Sequence, residues 1–286
     1  MWLMRAIGLA PQRTMPAFAR QTFSQWFATR WRGQQPATRG RVVLFHDTFL
    51  EYNSPEVGRA ATHLLEEAGF TVELVARKCC GRPAISKGLL DRARRDAQYN
   101  IALLLPYARQ GIPIVGIEPS CILTLREDYR DLLPGSDAAT VAEHALTIDE
   151  FLYQLHQRNE LDLTFTDAPK RLLLHGHCHQ KALVGTTPSL TVLGLPAGYV
   201  VQEIPSGCCG MAGSFGYEAE HYDISMSIGR QRLFPAVEAA DPDVDIVADG
   251  ISCRQQIQHA TGRQARHVVE VLWEAVVPKR SNGSGE

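Results

Sequence analysis

The apolar residues of this chain fall into short blocks separated by helical stretches. Arg41-Val42-Val43-Leu44-Phe45 is too short for a helix and predicts a buried strand. Ser54-Pro55 follows, a cap residue with proline at the first helical position, and opens a helix to Ala68 that stops at Gly69. Phe70 to Val75 alternates apolar and polar, a second strand that delivers the chain to Cys79-Cys80-Gly81. A helix from Ser86 to Arg109, a strand from Ile112 to Ile117 and a helix from Cys121 through Leu132 complete the series. Pro134-Gly135-Ser136-Asp137 breaks it, and Ala138 to Arg158 reads as one bridging helix.

The series then recurs. Arg171 to His175 is a strand, Pro188 to Leu195 a short helix, and Tyr199 to Ile204 a strand that delivers Cys208-Cys209-Gly210. Tyr217 to Ala239 is a helix, and Val244 to Ala248 is a strand emptying into Asp249-Gly250-Ile251-Ser252-Cys253, where another helix begins. His267 to Val277 is the last apolar element. Cys79 follows Thr48 by 31 positions and Cys208 follows Cys178 by 30, while Cys121 follows Cys80 by 41 and Cys253 follows Cys209 by 44. Alternating strands and helices predict an α/β protein of two tandem pseudo-repeated three-layer units with short parallel sheets. The cysteine sites fall at the C-terminal ends of the strands, where such sheets place their sites. The expected organisation is an Arg-rich docking arm or linker over 1–40 and a first cysteine-rich domain over 41–135. A helical bridge over 136–170, a second cysteine-rich domain over 171–277 and a tail over 278–286 follow.

Composition narrows the class without changing it. The 286 residues are 45% hydrophobic and 21% charged, ordinary for a globular protein of about two domains. A net charge of −2 gives no electrostatic case for nucleic acid or an anionic membrane. No apolar run reaches the length of a membrane span. The charge is uneven: residues 1–46 hold seven arginines and no acid, which leaves −9 (−2 minus 7) for the rest. Trp2, Trp26 and Trp31 also lie in this segment, and Phe18, Phe23, Trp26 and Phe27 are spaced along one helical face. The pattern reads as a docking helix outside the core rather than a transit peptide.

Seven cysteines is an odd count, and four form two adjacent pairs. Adjacent cysteines close a strained ring, so reduced, metal-binding thiols in a cytosolic chain fit better than a secreted disulfide framework. Cys178, Cys208, Cys209 and Cys253 would meet at three strand ends. Four thiolates satisfy a 4Fe–4S cluster or a zinc ion, and exclude calcium and magnesium. The spacing resembles neither zinc-finger knuckles nor bacterial ferredoxin runs. Gly207, Gly210 and Gly213 allow amides to face sulfur, and a helix start at Cys253 favours its thiolate. Buried inert thiols and thiol redox chemistry are the competing readings.

The first series offers Cys79, Cys80 and Cys121, with Thr48 where Cys178 stands later. His46 and Asp47 could supply a non-cysteine ligand, so a second site and a lost one both remain open. His175, His177 and His179 alternate along an extended segment, which would put them on one face and Cys178 on the other. They could hydrogen-bond sulfur, relay protons or simply pair with the backbone. Lys181 adds positive charge nearby. Arg82 and Arg254 each adjoin a motif cysteine and could face an anionic ligand or pair with an acid.

Asp47-Thr48-Phe49, Cys79-Cys80-Gly81-Arg82-Pro83, Glu118-Pro119-Ser120-Cys121 and His175-Gly176-His177-Cys178-His179-Gln180-Lys181 are specific motifs. Over residues 41–275 the chain resembles the duplicated cysteine-rich (CCG) domain. That domain occurs in the B-type component of heterodisulfide reductase, the glycolate oxidase iron–sulfur component, lactate-utilisation proteins and the C-type component of anaerobic glycerol-3-phosphate dehydrogenase. The motifs look most like the C-terminal region of FAD-linked D-lactate or D-2-hydroxyglutarate dehydrogenases. Gly250 and Glu118 stand three positions before Cys253 and Cys121, where the family's full motif has cysteine. A four-cysteine 4Fe–4S site in the second half therefore fits better than a five-cysteine cluster.

The resemblance implies an iron–sulfur electron-transfer component, subunit or fragment, of an oxidoreductase acting on a 2-hydroxy acid such as D-lactate, glycolate or D-2-hydroxyglutarate. Its flavin part, carrying FAD, would lie on another chain or module, alongside a ferredoxin-like 4Fe–4S module. A quinone or cytochrome would accept the electrons, and the location would be cytoplasmic, peripheral at the inner membrane face. A structural zinc scaffold and a thiol or disulfide reductase are the alternatives.

Overall fold

The computed structural model describes residues 6–30 and 39–278; Trp2, Trp31 and residues 279–286 of the expected tail lie outside the described residues. Eight strands among them form two parallel sheets. The first contains β1 (Arg41–Phe45), β2 (Thr71–Glu73), β3 (Ile114–Gly116) and β4 (Ala145–Thr147), in the order β2-β1-β3-β4. Val42 pairs with Val72, Leu44 with Val115, and Val115 with Leu146. The second contains β5 (Lys170–Leu174), β6 (Tyr199–Glu203), β7 (Asp245–Val247) and β8 (Ala265–Arg266), in the order β6-β5-β7-β8. Leu172 pairs with Val201, Leu173 with Ile246, and Val247 with Arg266. Helices cover both faces, as buried parallel strands require. Among the described residues no helix is long and apolar enough to cross a membrane.

Strand periodicity divides the core. Val42 and Leu44 of β1 join Leu172 and Leu174 of β5 and Val247 of β7 in one cluster shared by both halves. Val43 and Phe45 face the opposite way, into a cluster that contains Cys80 and Cys121. Ile246 and Ile204 lie in a third cluster with Cys209 and Cys253. Each sheet thus has one face in the common core and one face backed by its own cysteines. Helix 268–275 packs on helix 55–67, where the Trp273 indole stacks on His63 at 5.2 Å.

Several features differ from the sequence reading, among them that the helix expected over 121–132 is two, Pro119–Arg126 and Asp128–Leu132, and that the one expected from Tyr217 begins at Tyr222. Residues 138–158 are not one helix: Ser136–His144 and Ile148–Gln157 are helical, and β4 lies between them. Ala-Leu-Thr is too short for its period to show, and its pairing with β3 decides its conformation. The helix expected over 86–109 spans Leu90–Ala108, and a separate short helix, Arg82–Ser86, precedes it. The N-terminal segment, expected to stay outside the core, enters it. Thr22 and Gln25 form a capping box for helix 23–29, and Phe23 is fully buried against Gly58, where a Cβ would meet its ring at 2.6 Å. Burying that ring stabilises the attachment by roughly 1.5–3 kcal/mol. Phe18, expected on the same face, is exposed.

Candidate metal centre

The second sheet brings Cys178, Cys208, Cys209 and Cys253 together from three loops. Cys178 opens helix 178–183 after β5, Cys208 and Cys209 sit in the loop after β6, and Cys253 lies in the first turn of helix 251–261 after β7. Their thiols form one chain of contacts, Cys178 to Cys208 to Cys209 to Cys253. Cys178 is exposed, Cys208 half-buried, and Cys209 and Cys253 buried. Gly210 permits the turn, with φ +91°, and its N–H donates to Cys208 Sγ at 3.3 Å. The Met211 N–H donates to Cys209 Sγ at 3.5 Å.

Protons are unevenly shared among these sulfurs. Hydrogen bonds from Cys178 and Cys209 and the Gly210 amide push Cys208 down to about 2. Cys253 is held well below its ordinary value by Cys209 and by the neighbouring imidazoles of His175 and His177. Cys178 and Cys209 move upward as the donors of those bonds and through burial. The four sulfurs thus share protons along one chain of hydrogen bonds, and the thiolate is the form that binds metal.

The three histidines do not share a face, because residues 175–177 leave the strand and His177 becomes the cap of helix 178–183. His175 is fully buried, its Nδ1 paired with Ser206 Oγ at 2.8 Å and its Nε2 without a hydrogen-bond partner. A ring nitrogen of His175 and the sulfurs of Cys209 and Cys253 lie within 4.8 Å of one another. His177 Nδ1 accepts from the His179 N–H at 3.2 Å, and Nε2 faces Glu118 at 4.0 Å. His179 turns away to Glu127, 3.1 Å distant.

Lys181 donates to the Ser206 carbonyl at 2.7 Å and pairs with Glu203, so it anchors the cysteine loop. Arg82 pairs with Asp128 at 2.9 Å, and Arg254 donates to the carbonyls of Ala248 and Asp249. Arg82 is thus salt-bridged as one reading expected, whereas Arg254 is held by backbone carbonyls and not by an acid.

The first sheet brings three thiols together. Cys80 and Cys121 are buried with their sulfurs 3.2 Å apart, and Cys79 joins them through Cys80 and the Thr48 hydroxyl. Hydrogen bonding to Cys80 favours the Cys121 thiolate, but burial and the Asp47 and Glu118 carboxyls push it up to about 11. Cys79 and Cys80 are also raised, chiefly as donors to the neighbouring sulfur. Asp47 caps helix 48–52, its Oδ1 accepting from Phe49 and Leu50, and burial with Glu118 nearby pushes it up to about 6. His46 faces Phe23 and Glu51, and burial brings it down to about 4.

Glu118 is the residue whose role in joining the halves the sequence does not reveal. It stands at the end of β3, yet its Oε2 accepts the Ile251 N–H at 2.8 Å and so caps the helix that carries Cys253. Gly250, the formal cap, has no side chain to do this, and a Cβ there would meet His177 at 2.4 Å. Only the tertiary fold brings positions 118 and 251 together.

The family model for the cysteine-rich domain matches residues 43–126. The chain is 29% identical over 273 residues to the C-type component of anaerobic glycerol-3-phosphate dehydrogenase of Escherichia coli (strain K12), covering 95% of this chain and 68% of that protein. It is 29% identical over 237 residues to D-2-hydroxyglutarate dehydrogenase of Pantoea ananatis, covering 82% of this chain but 22% of that protein. With lactate utilization protein A of Macrococcus caseolyticus it shares 26% over 251 residues, 81% of this chain and 96% of the relative. Since these relatives align across both sheets and the family model matches the first, the chain belongs to the cysteine-rich (CCG) domain family.

Proposed function

We propose that this chain is the iron–sulfur electron-transfer component of a FAD-linked oxidoreductase that oxidises a small anionic secondary alcohol, a 2-hydroxy acid in the first instance. The supporting observation is the meeting of four thiols from three strand ends in one chain of sulfur contacts. Cys178, Cys208, Cys209 and Cys253 would hold a 4Fe–4S cluster, whose chemistry is one-electron transfer. This chain's own residues support that group in three ways. The amides of Gly210 and Met211 donate to sulfur. The buried His175 ring, its Nδ1 held by Ser206, lies against Cys253 and favours its thiolate. Gly250 leaves the His177 ring room against Cys253.

The relatives carry the names of dehydrogenases of glycerol 3-phosphate and D-2-hydroxyglutarate and of a lactate utilisation protein. Each named compound is a secondary alcohol with a nearby anionic group, which motivates the substrate class. The flavin would lie on a partner subunit or upstream module, with a ferredoxin-like 4Fe–4S module between and a quinone or cytochrome as acceptor. The location follows as cytoplasmic, peripheral at the inner membrane face. Cys178 is the exposed ligand and marks the edge for electron entry or exit. Cys79, Cys80 and Cys121 form a less complete second set.

Anaerobic purification with iron, sulfide and zinc analysis and EPR tests this reading. It expects about four iron and four sulfide per chain and a reducible cluster signal. One zinc without iron would replace it with the structural zinc scaffold.

A further inference from the structure

Among the described residues Arg13 is the one lysine or arginine that is buried, at 4% exposure. It belongs to the N-terminal segment, which the hydrophobic pattern places outside the core. Ala10 N–H donates to the Tyr217 carbonyl at 2.7 Å and Ala219 N–H to the Gly8 carbonyl at 2.8 Å, so the segment is bound alongside residues 217–219. Arg13 then reaches inward. Its Nε donates to the Gly216 carbonyl at 2.7 Å, and its terminal nitrogens donate to Gln256 Oε1 at 2.6 Å and Ser225 Oγ at 3.0 Å. The guanidinium lies over the Tyr222 ring at 4.9 Å.

These partners are the groups that hold the cysteine loop. Gln256 is fully buried and donates its amide to the Cys209 carbonyl at 3.0 Å and to the Ser225 carbonyl at 3.2 Å. The Ser225 carbonyl is also the atom that a Cβ on Gly210 would strike, at 2.1 Å. A buried guanidinium is costly unless its donors are used, and here all three nitrogens are. Burial lowers the Arg13 pKa, while Tyr222, Tyr217 and Cys209 act in the opposite sense, and arginine stays charged.

We infer that Arg13 is a positioning residue for the Cys208–Cys209 loop, fixing the Cys209 carbonyl through Gln256 and setting one buried positive charge a single side chain away from that loop. The positional part rests on the hydrogen bonds alone. The charge part rests on the cluster assignment above: a reduced cluster carries one more electron, and a fixed cation nearby stabilises it.

Two readouts on the full-length chain separate these parts. In the metal-free protein, iodoacetamide labelling followed by mass spectrometry times the reaction of Cys209. Arg13→Gln and Gln256→Ala should raise that rate roughly tenfold by loosening the loop. Arg13→Lys, which keeps the charge and loses the fork, should fall between parent and Arg13→Gln. In the loaded protein, a potentiometric EPR titration of Arg13→Gln should shift the reduction equilibrium roughly tenfold toward the oxidised form, about 59 mV for one electron. Arg13→Lys should hold the parent potential.

An unchanged labelling rate in Arg13→Gln and Gln256→Ala overturns the positional role, and an unmoved potential in Arg13→Gln overturns the charge role. Should Arg13→Gln fail to fold, Arg13→Lys and Gln256→Ala carry both measurements. Faster Cys209 labelling in both, with the parent potential kept by Arg13→Lys, supports the inference; parent labelling rates, or a potential moved by Arg13→Lys, overturn it. A chain that holds zinc sinks the cluster reading and the charge role that rests on it, while the labelling result still decides the positional role.

Discussion

The two cysteine groups occupy the same place on sheets of the same strand order, yet their sulfurs have opposite surroundings. In each half a short helix follows the first strand. Its cap is Asp47 in one half and His177 in the other, and its first residue is Thr48 in one and Cys178 in the other. The first group has three thiols beside two buried carboxyls: Cys79 and Cys80 are raised chiefly as donors to the neighbouring sulfur, and burial with the Asp47 and Glu118 carboxyls raises Cys121. The second has four thiols beside two imidazoles, and Cys208 and Cys253 are lowered, chiefly by hydrogen bonds from the neighbouring thiols and less by those rings. The difference in ligand count goes with a change of neighbours from carboxyls to imidazoles. The fold supplies the meeting point, hydrogen bonds among the thiols set most of the ionisation, and the surrounding side chains add to it.

The largest effect should come from breaking each group in turn. Cys209→Ser should abolish bound iron, whereas Cys80→Ser should leave iron content and the EPR signal at the parent's level. Loss of iron in Cys80→Ser with retention in Cys209→Ser would reverse the comparison and move the cluster to the first half. A smaller effect tests what the first half lacks. Thr48→Cys adds the fourth sulfur where the hydroxyl already contacts Cys79. A cobalt titration of the metal-free chain should show one more equivalent with thiolate-to-cobalt absorption than the parent. No additional equivalent would mean that Asp47 and Glu118, rather than the missing sulfur, set the difference.

Much of this is legible in the chain. The strands β1, β5 and β6 are marked by short apolar blocks, and the cysteines by their spacing. The strands β4 and β8 are not, because three residues and two residues are too few to display a period, and β-pairing chooses their conformation. The converging thiols follow from strand ends that the pattern predicts. Glu118 reaching Ile251 and Arg13 reaching Gln256 do not, since each contact joins positions far apart in sequence. The histidines at 175, 177 and 179 escape the expected alternation for a local reason: the strand ends at Leu174, and the rule ends with it. Phe23 belongs to an apolar helix face, but only the notch at Gly58 explains its burial in the core.

The caps of the final helices extend the comparison to acid stability. Thr147 caps helix 148–157 and His267 caps helix 268–275, each within a capping box completed by Glu150 or Glu270. His267 Nδ1 accepts the Val269 N–H at 3.1 Å, so the proton sits on Nε2, which faces the Ile117 carbonyl of the first half at 3.1 Å. Burial, with Arg254 nearby, brings His267 down to about 3. A folded pKa below the unfolded value of about 6.5 means that the unfolded chain binds the proton first. The His267 contribution to stability, with Asp249 Oδ1 3.5 Å from Nε2, is therefore full above about 6.5 and is lost as pH drops toward 3, by up to ~4 kcal/mol. His267→Thr, which copies the first half's cap, should flatten this slope in urea titrations between pH 6.5 and 4. A variant as acid-sensitive as the parent would assign the slope to other groups.

The smallest difference concerns the glycines that follow each cysteine pair. Gly81 and Gly210 have nearly the same backbone, with φ +89° and +91°, so alanine meets a similar left-handed penalty at both, roughly 1–2 kcal/mol. Their surroundings differ. A Cβ at Gly81 would lie 3.6 Å from the Ala93 backbone, ordinary contact, whereas at Gly210 it would stand 2.1 Å from the Ser225 carbonyl oxygen. That oxygen is held by Gln256, so it cannot move without disturbing the Cys209 loop. Gly81→Ala should thus cost about 1–2 kcal/mol, the backbone term alone, and Gly210→Ala about 1–3 kcal/mol more, as overpacking typically does. Denaturant unfolding of the metal-free chain measures both without interference from metal binding. Equal costs at the two positions would show that the Ser225 carbonyl yields freely, and would remove the packing half of the contrast while leaving the electrostatic half intact.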